Sequence, residues 1–289
     1  MIRLSNAVLQ VCCLFVFTAV GLAEPANSIE RTVEATFRIT NGRTSATAFL
    51  VTLEPAEGDE LTTTVLVTAA HCLEQMPDAK CKLILRAKEA GVYVRQEVEI
   101  ALRSEGKPLW VRHPELDVAV LPVDLPEQTA ARPLSIRQVA DATWAAERKL
   151  RVGGDVYIPG YPATLEGNEA GWPLLRRGSV ATHPLLPLEG AQRVFINAVT
   201  FGGDSGAPVA FPHGDDVKIV GLVVGLQRQT SRSETPFEER VSHMPMALAI
   251  TVQAPFIHDT IALLKKEQDV RADQEEAKPE QDKEEEGEA

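Results

Sequence analysis

Cysteine is scarce in this chain: four residues among 289, two of which, Cys12 and Cys13, fall in an apolar run near the N-terminus. The other two, Cys72 and Cys81, are too few for a zinc cluster, and no group of histidines stands beside them. No metal and no cofactor is expected. Positive charge is also in deficit, with 29 Lys and Arg against 41 Asp and Glu and a net charge of −12. A nucleic-acid partner requires a basic face, so nucleic acid is excluded. No apolar stretch after the N-terminal run is long enough to cross a bilayer, which takes about 20 residues. Once that run is removed, no stable membrane span is expected. No repeat of fixed period is present.

What is present is a globular composition, 44% hydrophobic and 24% charged, able to bury a core. The ends differ from the body. Arg3 gives a positive start, an apolar run follows from Ala7 to Phe17, and Gly21-Leu22-Ala23 puts small residues where a signal peptidase reads. Residues 1–23 therefore read as a signal peptide, and the mature protein as secreted or periplasmic. An uncleaved anchor is the alternative, disfavoured by the shortness of the run. At the other end, Lys265 to Ala289 holds 11 acidic and 5 basic residues. Such a segment cannot pack a core, and residues 267–289 read as an acidic, disordered tail. Export permits a disulfide between Cys72 and Cys81, subject to whether their side chains can meet.

Between the ends, short β-like runs recur, punctuated by Pro, Gly, Asp and Asn. They include Thr32 to Thr40, Ala46 to Leu53, Thr62 to Ala69, Cys81 to Arg86, Val217 to Leu226 and Met246 to Val252. Many short strands with few helical patterns predict an all-β sandwich or barrel. Helices are expected at Ala140 to Lys149 and, more clearly, at Pro255 to Lys266, where Pro opens a segment with an apolar side.

Three segments carry chemistry. Val65-Leu-Val-Thr-Ala-Ala-His71-Cys72 is an apolar strand that ends in small residues and delivers a histidine. Glu115-Leu-Asp117-Val-Ala-Val-Leu-Pro122 opens an apolar strand with an aspartate. Phe201-Gly-Gly-Asp-Ser205-Gly-Ala-Pro208 sets a serine among glycines. Each alone has a bland explanation, since a histidine at a strand end is usually structural and an aspartate before a strand is usually a turn residue. Together, in the order His, Asp, Ser, they supply a base, its orienting carboxylate and a nucleophile.

In these motifs the chain resembles the trypsin-like (chymotrypsin-fold) serine proteases, over roughly residues 29–264. Gly160-Tyr161-Pro162 and Leu175-Arg-Arg-Gly178 also resemble the middle of bacterial members. The resemblance implies two antiparallel β-barrels, split near residue 130, with a C-terminal helix. It implies a catalytic triad of His71, Asp117 and Ser205, an oxyanion hole from the N–H groups of Gly203 and Ser205, and protein or peptide substrates. Val199, six positions before the serine, is implied at the base of the primary pocket, with Met244 and Met246 able to intrude. Val223, Val224 and Gly225 are implied on the substrate-binding strand.

The chain departs from the family pattern in three places. No Ile-Val-Gly-Gly-like start lies between Glu24 and His71, so either Asp204 finds another partner or the oxyanion loop is ordered differently. Ala46 stands where many relatives have the cysteine that bonds the one after the histidine, which leaves Cys81 as the candidate partner of Cys72. The substrate strand offers no hydroxyl to Asp117. An inactive protease fold kept as a binding module is the rival expectation. A quality-control protease of the HtrA type is a third, although little chain follows the barrels.

Overall fold

The computed structural model describes residues 28–55, 62–235 and 238–276. The predicted signal peptide, Cys12, Cys13 and the last part of the acidic tail lie outside the described residues.

The first half opens with α1 (Ser28–Glu34) and then builds strands β1 (Thr36–Thr40), β2 (Ser45–Thr52) and β3 (Thr64–Thr68). After the short helix α2 (Ala70–Glu74) come β4 (Lys80–Glu89), β5 (Val92–Ala101), the two-stranded ribbon β6 (Arg103–Ser104) with β7 (Lys107–Pro108), then β8 (Val111–Arg112), β9 (Ala119–Pro122) and β10 (Leu134–Ser135). These strands, the β6–β7 ribbon apart, form an eight-stranded sheet in the order β5-β4-β1-β2-β3-β9-β8, with β10 added beside β2. Helix α3 (Ala142–Ala146) leads into the second half, made of β11 (Asp155–Gly160), β12 (Leu174–Val180), β13 (Arg193–Asn197), β14 (Pro208–His213), β15 (Asp216–Thr235) and β16 (Glu238–Gln253). These six close into a barrel, β11-β12-β13-β16-β15-β14. Helix α4 (Pro255–Glu276) follows. The all-β architecture with a C-terminal helix is the one expected from the sequence.

The reasons are local. β3 lies between β2 and β9 and is buried at four of its five positions, which is why it reads as an unbroken apolar run. Phe37, Phe49, Leu50, Leu66 and Leu85 are fully buried, and one continuous core spans both halves. Buried charges also join the halves. The Arg86 guanidinium lies between the rings of Phe37 (4.3 Å) and Trp172 (4.0 Å) and donates to the carbonyls of Glu34, Thr36 and Gly171. Glu166, in the second half, receives Arg38 at 2.8 Å and Arg95 at 2.7 Å from the first.

Three element boundaries differ from expectation. The segment read as a strand from Thr32 is helical to Glu34, and β1 begins only at Thr36. Strands β15 and β16 run well past Leu226 and start well before Met246. Beyond the barrel they pair only with each other, so both faces are wet and no apolar alternation marks them. Helix α4 continues ten residues past Lys266, into the segment read as disordered. Glu, Lys, Gln, Ala and Arg favour a helix without a core to dock on, and residues 265–270 are indeed exposed.

Candidate active site

The site begins with strand register. β3 and β9 are antiparallel with Thr68 opposite Ala119, so the chain leaving β3 and the chain entering β9 are at the same end of the pair. His71 lies three residues past Thr68, and Asp117 two residues before Ala119. Their meeting follows from that register. Ala69 and Ala70 are small and buried, which lets the chain turn at once into α2 and present His71. Asp117 holds the histidine at two points: Oδ1 accepts from the His71 backbone N–H at 2.9 Å, and Oδ2 lies 2.6 Å from Nδ1. With Nδ1–H donated to the carboxylate, Nε2 is left as the ring nitrogen that can accept a proton.

The electrostatics follow this contact. The hydrogen bond to Asp117, and then the contact of Nε2 with the Cys72 sulfur as acceptor, raise the His71 pKa well above its ordinary 6.5, against the opposing effect of burial. Burial works to raise Asp117, but the side-chain and backbone hydrogen bonds from His71 outweigh it, and its pKa is lowered. The nearby backbone N–H of Ala70 lowers it further. Asp117 thus keeps its charge without a hydroxyl from the substrate strand.

Ser205 comes from the second half, on the loop between Phe201 and Pro208. Its carbonyl accepts from Thr47 N at 3.0 Å, and Thr47 Oγ1 donates to the Gly203 carbonyl at 2.7 Å. Strand β2 therefore clamps the loop from the other half. Gly203 and Gly206 are required by sterics as well as by backbone angle, at φ +99 and +90. A Cβ on Gly203 would lie 2.4 Å from the Tyr161 carbonyl, and one on Gly206 would lie 2.0 Å from that of Thr47. The N–H of Gly206 goes to the Val223 carbonyl at 2.7 Å, and Val223 N–H returns to Ala207 at 2.9 Å. Among the described residues neither the Gly203 N–H nor the Ser205 N–H is taken by a protein acceptor. Two unclaimed donors flanking a serine are what an oxyanion needs.

Asp204 is fully buried and its partner is Arg176 on β12. The pair is bidentate, Nη1 to Oδ2 at 2.5 Å and Nη2 to Oδ1 at 2.6 Å, and Oδ2 also accepts from Phe201 N–H at 2.8 Å. This answers the missing activation sequence: a residue within the fold supplies the cation. Arg176 was not foreseen as a site residue. Its signal was the Leu-Arg-Arg-Gly segment, which needed only to be matched with a buried carboxylate lacking a partner. Thr47 and Thr68, whose hydroxyl donates to the Thr47 carbonyl at 2.7 Å, carried no signal beyond their places on strands.

The expected disulfide is absent. Cys72 and Cys81 are both free and buried. The buried Cys72 sulfur lies 3.6 Å from His71 Nε2 and 3.7 Å from the Ser205 carbonyl oxygen. Cys81 is on β4 opposite Ile100 of β5, where burial pushes its thiol up to about 12. The two sulfurs serve different surroundings. No hydrogen bond between the Ser205 hydroxyl and His71 is present among the described residues; the thiol occupies the polar contact of Nε2 instead.

Around the serine, Val223 is buried while Val224 and Gly225 are partly open. Val199 is 50% exposed, and its carbonyl accepts from Arg176 at 3.3 Å. It stands on an open wall, with Phe201, Met244 and Met246 also exposed, rather than on the floor of a closed pocket. Among the described residues no cluster of His, Cys, Asp and Glu has the makings of a metal site, and no helix is long and apolar enough to cross a membrane.

An all-β fold that brings a His–Asp pair from one half to a Gly-Asp-Ser-Gly loop of the other defines a protein of the double-barrel peptidase class. The comparisons agree: the family model for the trypsin-like peptidase domain matches residues 46–222, and the chain belongs to that family. Membership supports a protease-type function with peptide substrates. Among solved structures, Rv3671c from M. tuberculosis H37Rv, solved as a serine-to-alanine mutant in an inactive form, is similar at 15% identity and TM-score 0.46. The match covers 83% of this chain and 90% of that one. No curated protein matches the chain.

Proposed function

We propose that this protein is an exported serine endopeptidase that cleaves peptide bonds through an acyl-enzyme on Ser205. The observation that carries the proposal is the two-point His71–Asp117 contact, facing a loop whose Gly203 and Ser205 N–H groups are unclaimed.

In the acylation step the Ser205 hydroxyl attacks the carbonyl carbon while its proton passes to His71 Nε2. The resulting oxyanion accepts from the Gly203 and Ser205 N–H groups, worth about 3 kcal/mol for each donor. Asp117 stays ionised and stabilises the imidazolium. Collapse of the intermediate breaks the C–N bond, and the His71 proton goes to the leaving amine. A water molecule then gives its proton to His71 as it attacks the acyl carbon, and Ser205 is regenerated. The Cys72 thiol must give up Nε2 for this cycle to begin.

Val199 carries no charge and stands open, so nothing at that position supplies a carboxylate to hold a Lys or Arg side chain, and apolar or small uncharged side chains are favoured before the cut. Export rests on the N-terminal segment alone, with Arg3, its apolar run and Gly21-Leu22-Ala23, and sequencing the N-terminus of protein recovered outside the cytoplasm should find Glu24 first. The thiol contact at Nε2 is the one observation that favours a binding module instead. A single experiment separates the two functions. The purified protein is incubated with a peptide library and with a fluorophosphonate, beside Ser205→Ala. Cleavage after apolar residues, lost in the variant, supports the endopeptidase; a wild-type protein inert to both reagents refutes it.

A further inference from the structure

A cavity of about 450 Å³ opens between α3, the segment 183–186 and the start of α4. That size is within the range of small-molecule sites. Trp144, Leu150, Leu186 and Val220 give it an apolar wall, and Arg148 and Arg151 stand beside that wall as the lining cations.

Three features set this cavity apart from a packing defect. No Asp or Glu lines it. The nearest carboxylates along the chain are engaged elsewhere, Glu147 with Lys149 at 2.5 Å and Asp141 with the Trp144 N–H at 2.7 Å. Among the described residues Arg148 and Arg151 have no ion-pair partner, so their charges face the opening uncompensated. Arg148 also holds φ at 53°, the left-handed position after a helix where glycine or asparagine is usual.

We infer that this cavity binds an amphiphilic carboxylate: an apolar chain seated against Trp144, Leu186 and Val220, its head group held by Arg148 and Arg151. The chain displaces water from apolar surface, and the guanidinium groups make charge-assisted hydrogen bonds to the carboxylate. The occupant is a free acyl carboxylate, since the two arginines call for an anionic head group and the aliphatic side chains of Leu150, Leu186 and Val220 offer an extended peptide backbone no hydrogen-bonding partner.

Calorimetric titration with dodecanoate tests this, with dodecanol and a leucine-terminated hexapeptide as the other arms. Dodecanoate should bind with a Kd below about 1 mM and perturb the fluorescence of Trp144, a signal that disappears in Trp144→Phe. The doubly substituted Arg148→Ala, Arg151→Ala protein changes only exposed side chains, and circular dichroism confirms that it is folded. It should bind dodecanoate at least about tenfold more weakly, as should dodecanol to the unaltered protein. Dodecanoate that fails to bind, or that binds both proteins equally, overturns the inference. Tighter binding of dodecanol or of the hexapeptide also overturns it. None of these readouts depends on proteolysis, so they stand or fall apart from the proposed activity.

Discussion

The two halves of the molecule assemble their parts of the site by different means. In the first, His71 and Asp117 project from the paired ends of β3 and β9, and the strand ladder that makes the core also sets their distance. In the second, Ser205 sits on a loop that no ladder fixes. It is held by the buried Asp204–Arg176 pair, by two glycines that exclude a Cβ, and by Thr47 reaching across from the other half. Damage to the His71–Asp117 pair should therefore be mainly catalytic, and damage to the Asp204–Arg176 pair both catalytic and structural.

The sharpest break in this contrast is Asp117→Asn. Turnover should fall by about 10⁴, because the amide stabilises the wrong tautomer of His71, while the melting temperature stays close to that of the wild type. Next comes Arg176→Ala, which strands a buried carboxylate. Turnover should fall by about 10² to 10³ as the oxyanion loop loses its anchor, and denaturant unfolding should report a loss of about 3–5 kcal/mol. If the aspartate variant proves the less stable of the two, the contrast between halves is wrong.

These two variants also mark what could be read in the sequence. The His71 and Asp117 motifs were legible because each is a strand end, and an apolar strand announces itself along the chain. Ser205, Gly203 and Gly206 were legible as a local glycine-rich string. Arg176 was not, since its role depends on a partner 28 residues away and on the burial of that partner. The Cys72–Cys81 bond failed for the same reason: a spacing along the chain does not say which way two side chains point. The outer parts of β15 and β16 and the last turns of α4 were missed because, lying outside the core, they carry no hydrophobic period.

Smaller effects sharpen the comparison within the first half. His71 must be neutral to act as a base, and its pKa is held above 6.5, so the acid limb of the kcat/KM profile should lie above that value. Cys72→Ala removes one of the hydrogen bonds that raise it, and the limb should move down toward 6.5. An unmoved limb would show that the thiol does not act on Nε2. The smallest change is expected from truncation after Lys266. It removes the exposed residues 267–270 with all that follows them and leaves the packed residues Ile257, Ile261 and Leu264 in place, so melting temperature and turnover should be nearly unaltered.

The account turns on Ser205 being held ready by groups within the fold, with no new N-terminus required. The direct test is to react protein beginning at Glu24, its α-amino group acetylated, with a fluorophosphonate and to locate the adduct by mass spectrometry. The account predicts one equivalent of label on Ser205 in the uncut chain. Label that appears only after a cut upstream of His71, or that falls on another residue, would contradict it.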